Sequence, residues 1–263
     1  MGTHALQELQ VVESAVSRLE SAKGWVMIEF LRKYTRQERI LINSASLFFY
    51  LGIFIKIAGS NIILLQMKNF WNERFGQPQY IYGKAPNVFF AEQLNKLPKG
   101  NLLLPAEGEG RNAVYAAIKG WKVTAFDYSE EAKRKALDLA REYEVEIDYQ
   151  IKNADDFIGE EKYDVIALIY AHFGGNERST LFKKLEDSIV PGGHLLAEVF
   201  SKNQMGRASG GPKDLDLLYS KDEINSSFPK LDFIILEETK VMLNEGSYHQ
   251  GEAAVIRALG VRK

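Results

Sequence analysis

The chain has 263 residues, 46% hydrophobic and 26% charged, the make-up of a globular domain with one sizeable core and an extension. Its formal charge of −2, without a basic block, excludes a binder that works by neutralising many phosphates, so no nucleic-acid partner is expected. With no cysteine there is no disulfide, thiolate nucleophile or cysteine zinc site, and the 4 histidines (His4, His172, His194, His249) miss metal-ligand spacing, so no metal is expected.

Residues 1–66 differ in character from residues 67–263. Leu9, Val12, Val16 and Leu19 recur at helical spacing, so an amphipathic helix is expected to open the chain. Ala45 to Leu65 is then apolar over a length that could cross a bilayer, but Lys56, Ser60 and Asn61 interrupt it. A central lysine costs roughly 2.5 to 3.5 kcal/mol on insertion scales. Arg32, Lys33, Arg36 and Arg39 precede the run, and the positive-inside bias would carry the remainder across the membrane. The favoured reading is a helical N-terminal extension packed on the remainder or on a second copy, which leaves a homo-oligomer open. Membrane contact through residues 45–65 is the disfavoured alternative, and a natural start at Met67 is a third. No secretory signal is evident, so a cytoplasmic location is expected.

From Met67 onward, strands and helices alternate. Asn101 to Pro105 is expected as a strand, Arg111 to Lys119 as a helix, Lys122 to Asp127 as a strand and Glu130 to Tyr143 as a helix. Glu146 to Lys152 and the apolar Tyr163 to Tyr170 continue the strands, the latter suited to burial on both faces. Arg178 to Ile189 predicts a helix, Pro191 to Gly193 a turn and His194 to Phe200 a fifth strand. Phe233 to Val241 and Gly251 to Val261 predict a late antiparallel hairpin. The pattern defines an α/β domain with a doubly wound, mostly parallel, Rossmann-like sheet.

In such sheets the ligand sits beyond the carboxyl ends of the strands, where strand order reverses. The stretch LLLPAEGEGRN (Leu102 to Asn112) ends the first strand in a turn where Gly108 and Gly110 let the backbone approach a nucleotide, a Cβ at either being expected to fill space the ligand needs. Glu107 and Glu109 oppose a pyrophosphate at the following helix N-terminus, and so favour S-adenosylmethionine, with its amino group and sulfonium, over a dinucleotide. Asp127 ends the second strand, where a carboxylate can accept from both ribose hydroxyls. Tyr128 is placed to lie against an adenine, Asn153 to read its edge, and Ala154 to offer a backbone N–H. Tyr170 to His172 ends the fourth strand, where the methyl group would point. Each residue has a plainer role open to it: the glycines as a tight turn, Asp127 as a helix cap, Asn153 as a turn residue, Asp155 and Asp156 as loop carboxylates, His194 as a strand residue. Their convergence on separate strand ends favours the ligand site.

The order GEGRNA, VTAFD, NADDF, a buried strand and VPGG resembles the class I S-adenosylmethionine-dependent methyltransferases. It is similar in particular to the small bacterial enzymes related to tellurite-resistance and thiopurine methyltransferases, through FWNERFGQPQYIYGKAPN (Phe70 to Asn87), GGPKDLDLL (Gly210 to Leu218) and EGSYHQGEAAVIRALGVRK (Glu245 to Lys263). The resemblance covers residues 67–263. It implies that Gly108, Gly110 and the backbone around Ala106 hold the methionine part, Asp127 the ribose, and Asn153 with Ala154 the adenine, while Tyr82 and Gly83 fold over the cofactor. Most class I enzymes have an acid at the position of Leu104 and a glycine at that of Ala106; Glu107 is the residue left to supply charge to the methionine amino group.

Methyl transfer from a sulfonium needs alignment and exclusion of water, and a hydroxyl or amine acceptor also needs a proton acceptor. His172 is the best-placed base, since an unperturbed imidazole titrates near neutrality, and its alternative role is to orient the loop; His249 could reach the same cavity. Ser201 to Lys213 reads as a mobile lid whose Arg207 and Lys213 could attract a small anion or face solvent. The expected function is transfer of a methyl group to a small-molecule acceptor, with an NAD(P)-dependent oxidoreductase and a non-catalytic cofactor-binding module as the rivals.

Overall fold

The computed structural model describes residues 67–263, and the expectations for residues 1–66, including the apolar run at 45–65, lie outside it. Residues 67–75 are helical (α1), followed by α2 (Val88–Leu94), β1 (Asn101–Pro105), α3 (Arg111–Ile118), β2 (Lys122–Asp127), α4 (Glu130–Glu142) and β3 (Asp148–Ile151). The second half comprises β4 (Tyr163–Ile169), α5 (Gly175–Ser188), β5 (Ile189–Phe200), α6 (Lys221–Ser227), β6 (Leu231–Glu245) and β7 (His249–Arg262). The 7 strands form one sheet ordered β3-β2-β1-β4-β5-β7-β6. The first five run parallel, and β7 enters antiparallel between β5 and β6. After β1 the chain winds outward through β2 and β3, then returns to lay β4 on the other flank of β1, so the order reverses between β1 and β4.

Alternation along the strands sorts side chains into two layers. Leu102 and Leu104 of β1 pack with Phe89, Phe90 and Trp121 on one face; Leu103 packs with Phe126, Ile166, Phe182 and Leu185 on the other. Burial on both faces explains the near-continuous apolarity of β4, where Val165 to Leu168 are almost fully buried. The amphipathic α4 is capped by Ser129, whose hydroxyl accepts from the Ala132 N–H, and carries Glu130 and Glu131 in its first turn.

Several boundaries differ from the sequence reading. Helix α5 begins at Gly175, three residues early, and β5 runs through Pro191 to Gly193 rather than starting after a turn. Tyr163 pairs with Ile189 and Val165 with His194, so β5 absorbs the proline and glycines as an irregularity. The hairpin strands β6 and β7 pair from Leu231–Arg262 to Glu245–His249, leaving only Gly246 to Tyr248 as the turn. Helix α6 lies outside the expected elements, although its sequence carries a start signal: Ser220 and Glu223 form a capping box in which each side chain accepts from the other's backbone N–H. Among the described residues no helix is long and apolar enough to cross a membrane.

Candidate functional site

Three loops converge at the carboxyl ends of β1, β2 and β4. Beyond β1, Ala106 has φ 52°, and beyond β4, Tyr170 has φ 51°, so a non-glycine residue on each flank of the reversal point adopts the left-handed region. Such conformations cost on the order of 1–3 kcal/mol each and concentrate at functional sites. At Ala106 the strain is the physical trace of the expected glycine being absent.

The glycine turn is built differently from expectation. Gly108 (φ 64°) and Gly110 (φ 86°) are left-handed, as required, but an added Cβ would meet protein rather than ligand space. At Gly110 it would lie 2.5 Å from the Ala136 Cβ of α4, so this glycine permits helix packing. At Gly108 it would lie 3.3 Å from the Phe75 ring. Trp71 stacks on Phe75 at 5.1 Å between ring centroids, and Phe75 meets Tyr82 edge-on at 6.4 Å, so α1 lays an aromatic wall along the turn. The sequence reading missed Trp71 and Phe75; their spacing of four on a helix was the available signal.

The two acids of the turn have separate tasks. Glu107 Oε1 accepts from the N–H groups of Asn112 (2.9 Å) and Ala113 (2.8 Å), capping α3, and burial pushes its carboxyl up to about 7. Glu109 turns the other way. Its Oε2 accepts from the N–H of Ile81 (2.8 Å) and Tyr82 (3.3 Å), and its Oε1 pairs with Lys135 at 2.8 Å. Burial raises the Glu109 pKa while Lys135 opposes the rise. The charge of Glu109 is therefore met within the protein, and of the two acids only Glu107 lies on the α3 N-terminus.

Asp127 accepts from the Gly108 N–H at Oδ2 (3.1 Å) and from the Ser129 N–H at Oδ1 (2.9 Å), and burial pushes its carboxyl up to about 6. Each oxygen keeps acceptor capacity for a further hydrogen bond. Tyr128 is mostly buried, which raises its phenol pKa, and it bonds to Trp71. Asn153 precedes a 3-10 turn at Ala154–Asp156 and donates from Nδ2 to Asp156 Oδ2 at 3.0 Å; Ala154 is buried beside it. Gly83 has φ 72° and closes a turn on the Tyr80 carbonyl, while the Tyr82 hydroxyl accepts from Arg74 at 3.3 Å.

His172 does not keep the unperturbed imidazole of the sequence reading. Burial drives its pKa down to about 3, and its Nδ1 is buried with no hydrogen-bond partner. The ring stacks on Phe200 and bonds to the Leu217 backbone. Burial thus favours its neutral form. The segment expected as a mobile lid is pinned: buried Gln204 donates to Ser209 Oγ and the Gly210 carbonyl and accepts from the Ala254 N–H. Arg207 pairs with Glu252 at 2.8 Å beside a cavity of about 640 Å³ that also touches Asn203, Glu238 and Lys240. None of these three takes part in the contacts around Asp127 or His172, so Arg207 does not draw an anion there. His194 stands at the opposite, amino-terminal part of the β4–β5 pairing, a strand residue.

These features define a doubly wound α/β domain with a candidate site at its strand-order reversal. Residues 105–193 match the family model described as a methyltransferase domain. The fold is similar to TehB from Haemophilus influenzae (TM-score 0.59, 14% identity, covering 74% of this chain and 67% of that one). It is also similar to magnesium protoporphyrin IX methyltransferase ChlM from Synechocystis with bound S-adenosylhomocysteine (0.56, 14%, 76% and 99%). A third similar structure is the N-methyltransferase NodS from Bradyrhizobium japonicum with the same ligand (0.54, 13%, 74% and 97%). No curated protein matches the chain. Residues 105–193 thus match a methyltransferase domain, on a fold shared with these structures.

Proposed function

We propose that the protein transfers a methyl group from S-adenosylmethionine to a small-molecule acceptor by in-line displacement, with residues 67–263 as the catalytic domain and residues 1–66 as an appended extension in a cytoplasmic enzyme. The observation that carries this reading is the Glu107 carboxylate on the first N–H groups of α3. A dinucleotide needs that helix end for its pyrophosphate, and here a carboxylate already accepts from it. The donor set fits a ligand with an ammonium and two ribose hydroxyls: Glu107 and Asp127 are buried acceptors on either side of Gly108.

When bound, S-adenosylmethionine supplies an electrophilic methyl carbon. On this reading the Ala106 to Gly110 backbone holds its methionine part, with Glu107 next to the ammonium. Asp127 accepts from the ribose hydroxyls; Tyr128, Asn153 and Ala154 border the adenine. Tyr82 and Gly83 cover the site from the α1 side and, with Trp71 and Phe75, keep water out. His172 faces the acceptor and, with no carboxylate beside its unpartnered Nδ1 to stabilise an imidazolium, it accepts a hydrogen bond and orients the nucleophile rather than taking its proton.

Calorimetry separates this reading from its rival. The full chain is expected to bind S-adenosylhomocysteine and not NADH; heat from NADH alone would overturn the proposal. A screen of phenols, amines and thiols for transfer of labelled methyl then tests the acceptor class, and labelling of a protein or nucleic acid instead would refute it.

A further inference from the structure

Beside His172, the late hairpin carries a second buried imidazole. His249 is 5% exposed and enclosed by three rings, with centroids at 4.4 Å (Tyr82), 4.7 Å (Tyr170) and 5.3 Å (Phe200). His172 stacks on the same Phe200 ring, so both histidines share one wall beyond the ends of β4 and β5. The hairpin tip reaches back to the segment folded over the site, since the Ser247 N–H donates to the Ile81 carbonyl at 3.0 Å.

His249 has an orienting carboxylate that His172 lacks. Its Nδ1 lies 3.1 Å from Glu245 Oε2. That oxygen also accepts from Arg111 at 2.9 Å, and Glu245 Oε1 accepts from Asn87 Nδ2 at 3.3 Å. An ionised carboxylate only accepts, so Nδ1 carries the hydrogen and the Nε2 lone pair is left over. Arg111 is itself fixed by the Tyr82 carbonyl at 3.2 Å, and Asn87 by Glu198 at 2.6 Å. Glu198 in turn accepts from the Tyr170 hydroxyl at 2.7 Å and from Arg257 at 2.7 Å. A carboxylate held by an arginine and an amide, aiming one imidazole among aromatic rings, has the parts of a base with its orienter.

We infer that the Glu245–His249 dyad is the proton acceptor of the site, built for an acceptor whose nucleophile is an O–H or N–H group rather than a free thiolate; the inference rests on the methyltransferase reading. In the step, the acceptor's X–H proton passes to His249 Nε2 as X forms its bond to the methyl carbon. The S–CH₃ bond breaks with its electron pair left on sulfur, and the imidazolium then releases the proton to water. Glu245 stabilises that imidazolium and is a positioning residue. Burial lowers the His249 pKa; of the charged or titratable groups facing it (Glu245, Arg111, Arg74, Tyr82, Tyr170 and His172), Glu245 favours its protonation, and Arg111 and Arg74 oppose it.

The test uses the full chain labelled with ¹⁵N-histidine, with S-adenosylhomocysteine bound. Expected is His249 as the Nδ1–H tautomer at neutral pH, an Nε2 resonance that moves when phenol is added as the hydroxyl probe, and loss of the tautomer bias with a lower protonation midpoint in Glu245→Gln. A His249 that carries its hydrogen on Nε2, an Nε2 unmoved by phenol, or an unchanged midpoint in Glu245→Gln overturns the dyad. Calorimetry with S-adenosylhomocysteine keeps the two ideas apart. Binding within about twofold of wild type in Glu245→Gln leaves the cofactor reading standing whatever the resonances do, whereas no heat in wild type sinks that reading itself.

Discussion

The pair Gly108→Ala and Gly110→Ala tests whether the two glycines of the turn do different work. At Gly110 the backbone has φ 86°, and an alanine Cβ would sit 2.5 Å from the Cβ and 2.7 Å from the Cα of Ala136. The left-handed conformation costs about 1–2 kcal/mol for a residue with a side chain. Separating α3 from α4 against backbone atoms adds about 1–3 kcal/mol, as overpacking does elsewhere. The expected loss is about 2–5 kcal/mol, or on the order of 5–15 °C in Tm for a domain of this size. At Gly108 the same conformational cost applies at φ 64°, but the nearest atom is the edge of the Phe75 ring at 3.3 Å, which can move. Its loss is then about 1–2 kcal/mol, roughly 3–6 °C. Binding separates the two further. Moving Phe75 disturbs the aromatic wall, so Gly108→Ala is expected to weaken S-adenosylhomocysteine by more than its stability loss suggests, and Gly110→Ala to bind normally once folded. Differential scanning with and without S-adenosylhomocysteine reads both quantities; equal Tm losses, or Gly110→Ala within about 2 °C of wild type, would refute the assignment.

The same geometry sets further outcomes. Ala106→Gly relieves a left-handed alanine worth about 1–2 kcal/mol and adds about 0.5–1 kcal/mol of chain entropy, so a net gain of about 0.5–1 kcal/mol in chemical denaturation is expected; a loss would mean that the Ala106 methyl contributes packing of its own. Lys135→Met leaves Glu109 buried and unpaired, which costs about 3–5 kcal/mol, and adding Glu109→Gln should recover part of it; additive losses in urea melts would contradict a direct pair. The carboxyls of Asp127 and Glu107, raised to about 6 and about 7, make two opposite pH dependences. Because the folded state binds their protons before the unfolded chain does, these groups add stability as pH falls through about 7 and about 6, and withdraw it as pH rises. S-adenosylhomocysteine binding runs the other way, weakening more than about tenfold by about pH 5 through protonation of Asp127 and Glu107 together, and Asp127→Asn should bind weakly at every pH; a wild-type affinity flat from about pH 5 to about pH 7 would exclude both carboxylates as ligand acceptors.

The architecture was legible because its cause is periodic. A strand buried on both faces must be apolar throughout, as Tyr163 to Ile169 is, and a surface helix must alternate, as Glu130 to Glu142 does; each rule acts within a few residues of sequence. Boundaries failed where long-range pairing outweighed local propensity. Pro191, Gly192 and Gly193 signal a turn by themselves, yet Ile189 pairs with Tyr163 and His194 with Val165, and the ladder carries the strand across them. The short hairpin turn was hidden for a related reason: Met242 and Asn244 face outward along the edge strand β6, and their lack of a clear pattern mimicked a loop.

The candidate site was legible at its backbone and hidden in its polar side chains. The GEG turn after β1 and the FD that closes β2 mark the reversal point in the sequence, although their residues also serve packing and capping there. What those carboxylates bond to depends on residues far away: Glu109 on Ile81, Tyr82 and Lys135, and Glu245 on Asn87 and Arg111. Counting both turn acids as ligand-directed charge overstated the electrostatic preference, since Lys135 neutralises one of them. The preference survives because it needs only one acid. A pyrophosphate at α3 would have to displace the Glu107 carboxylate from two backbone N–H groups and bury a second anion against it, whereas an ammonium would find that carboxylate already aimed and desolvated.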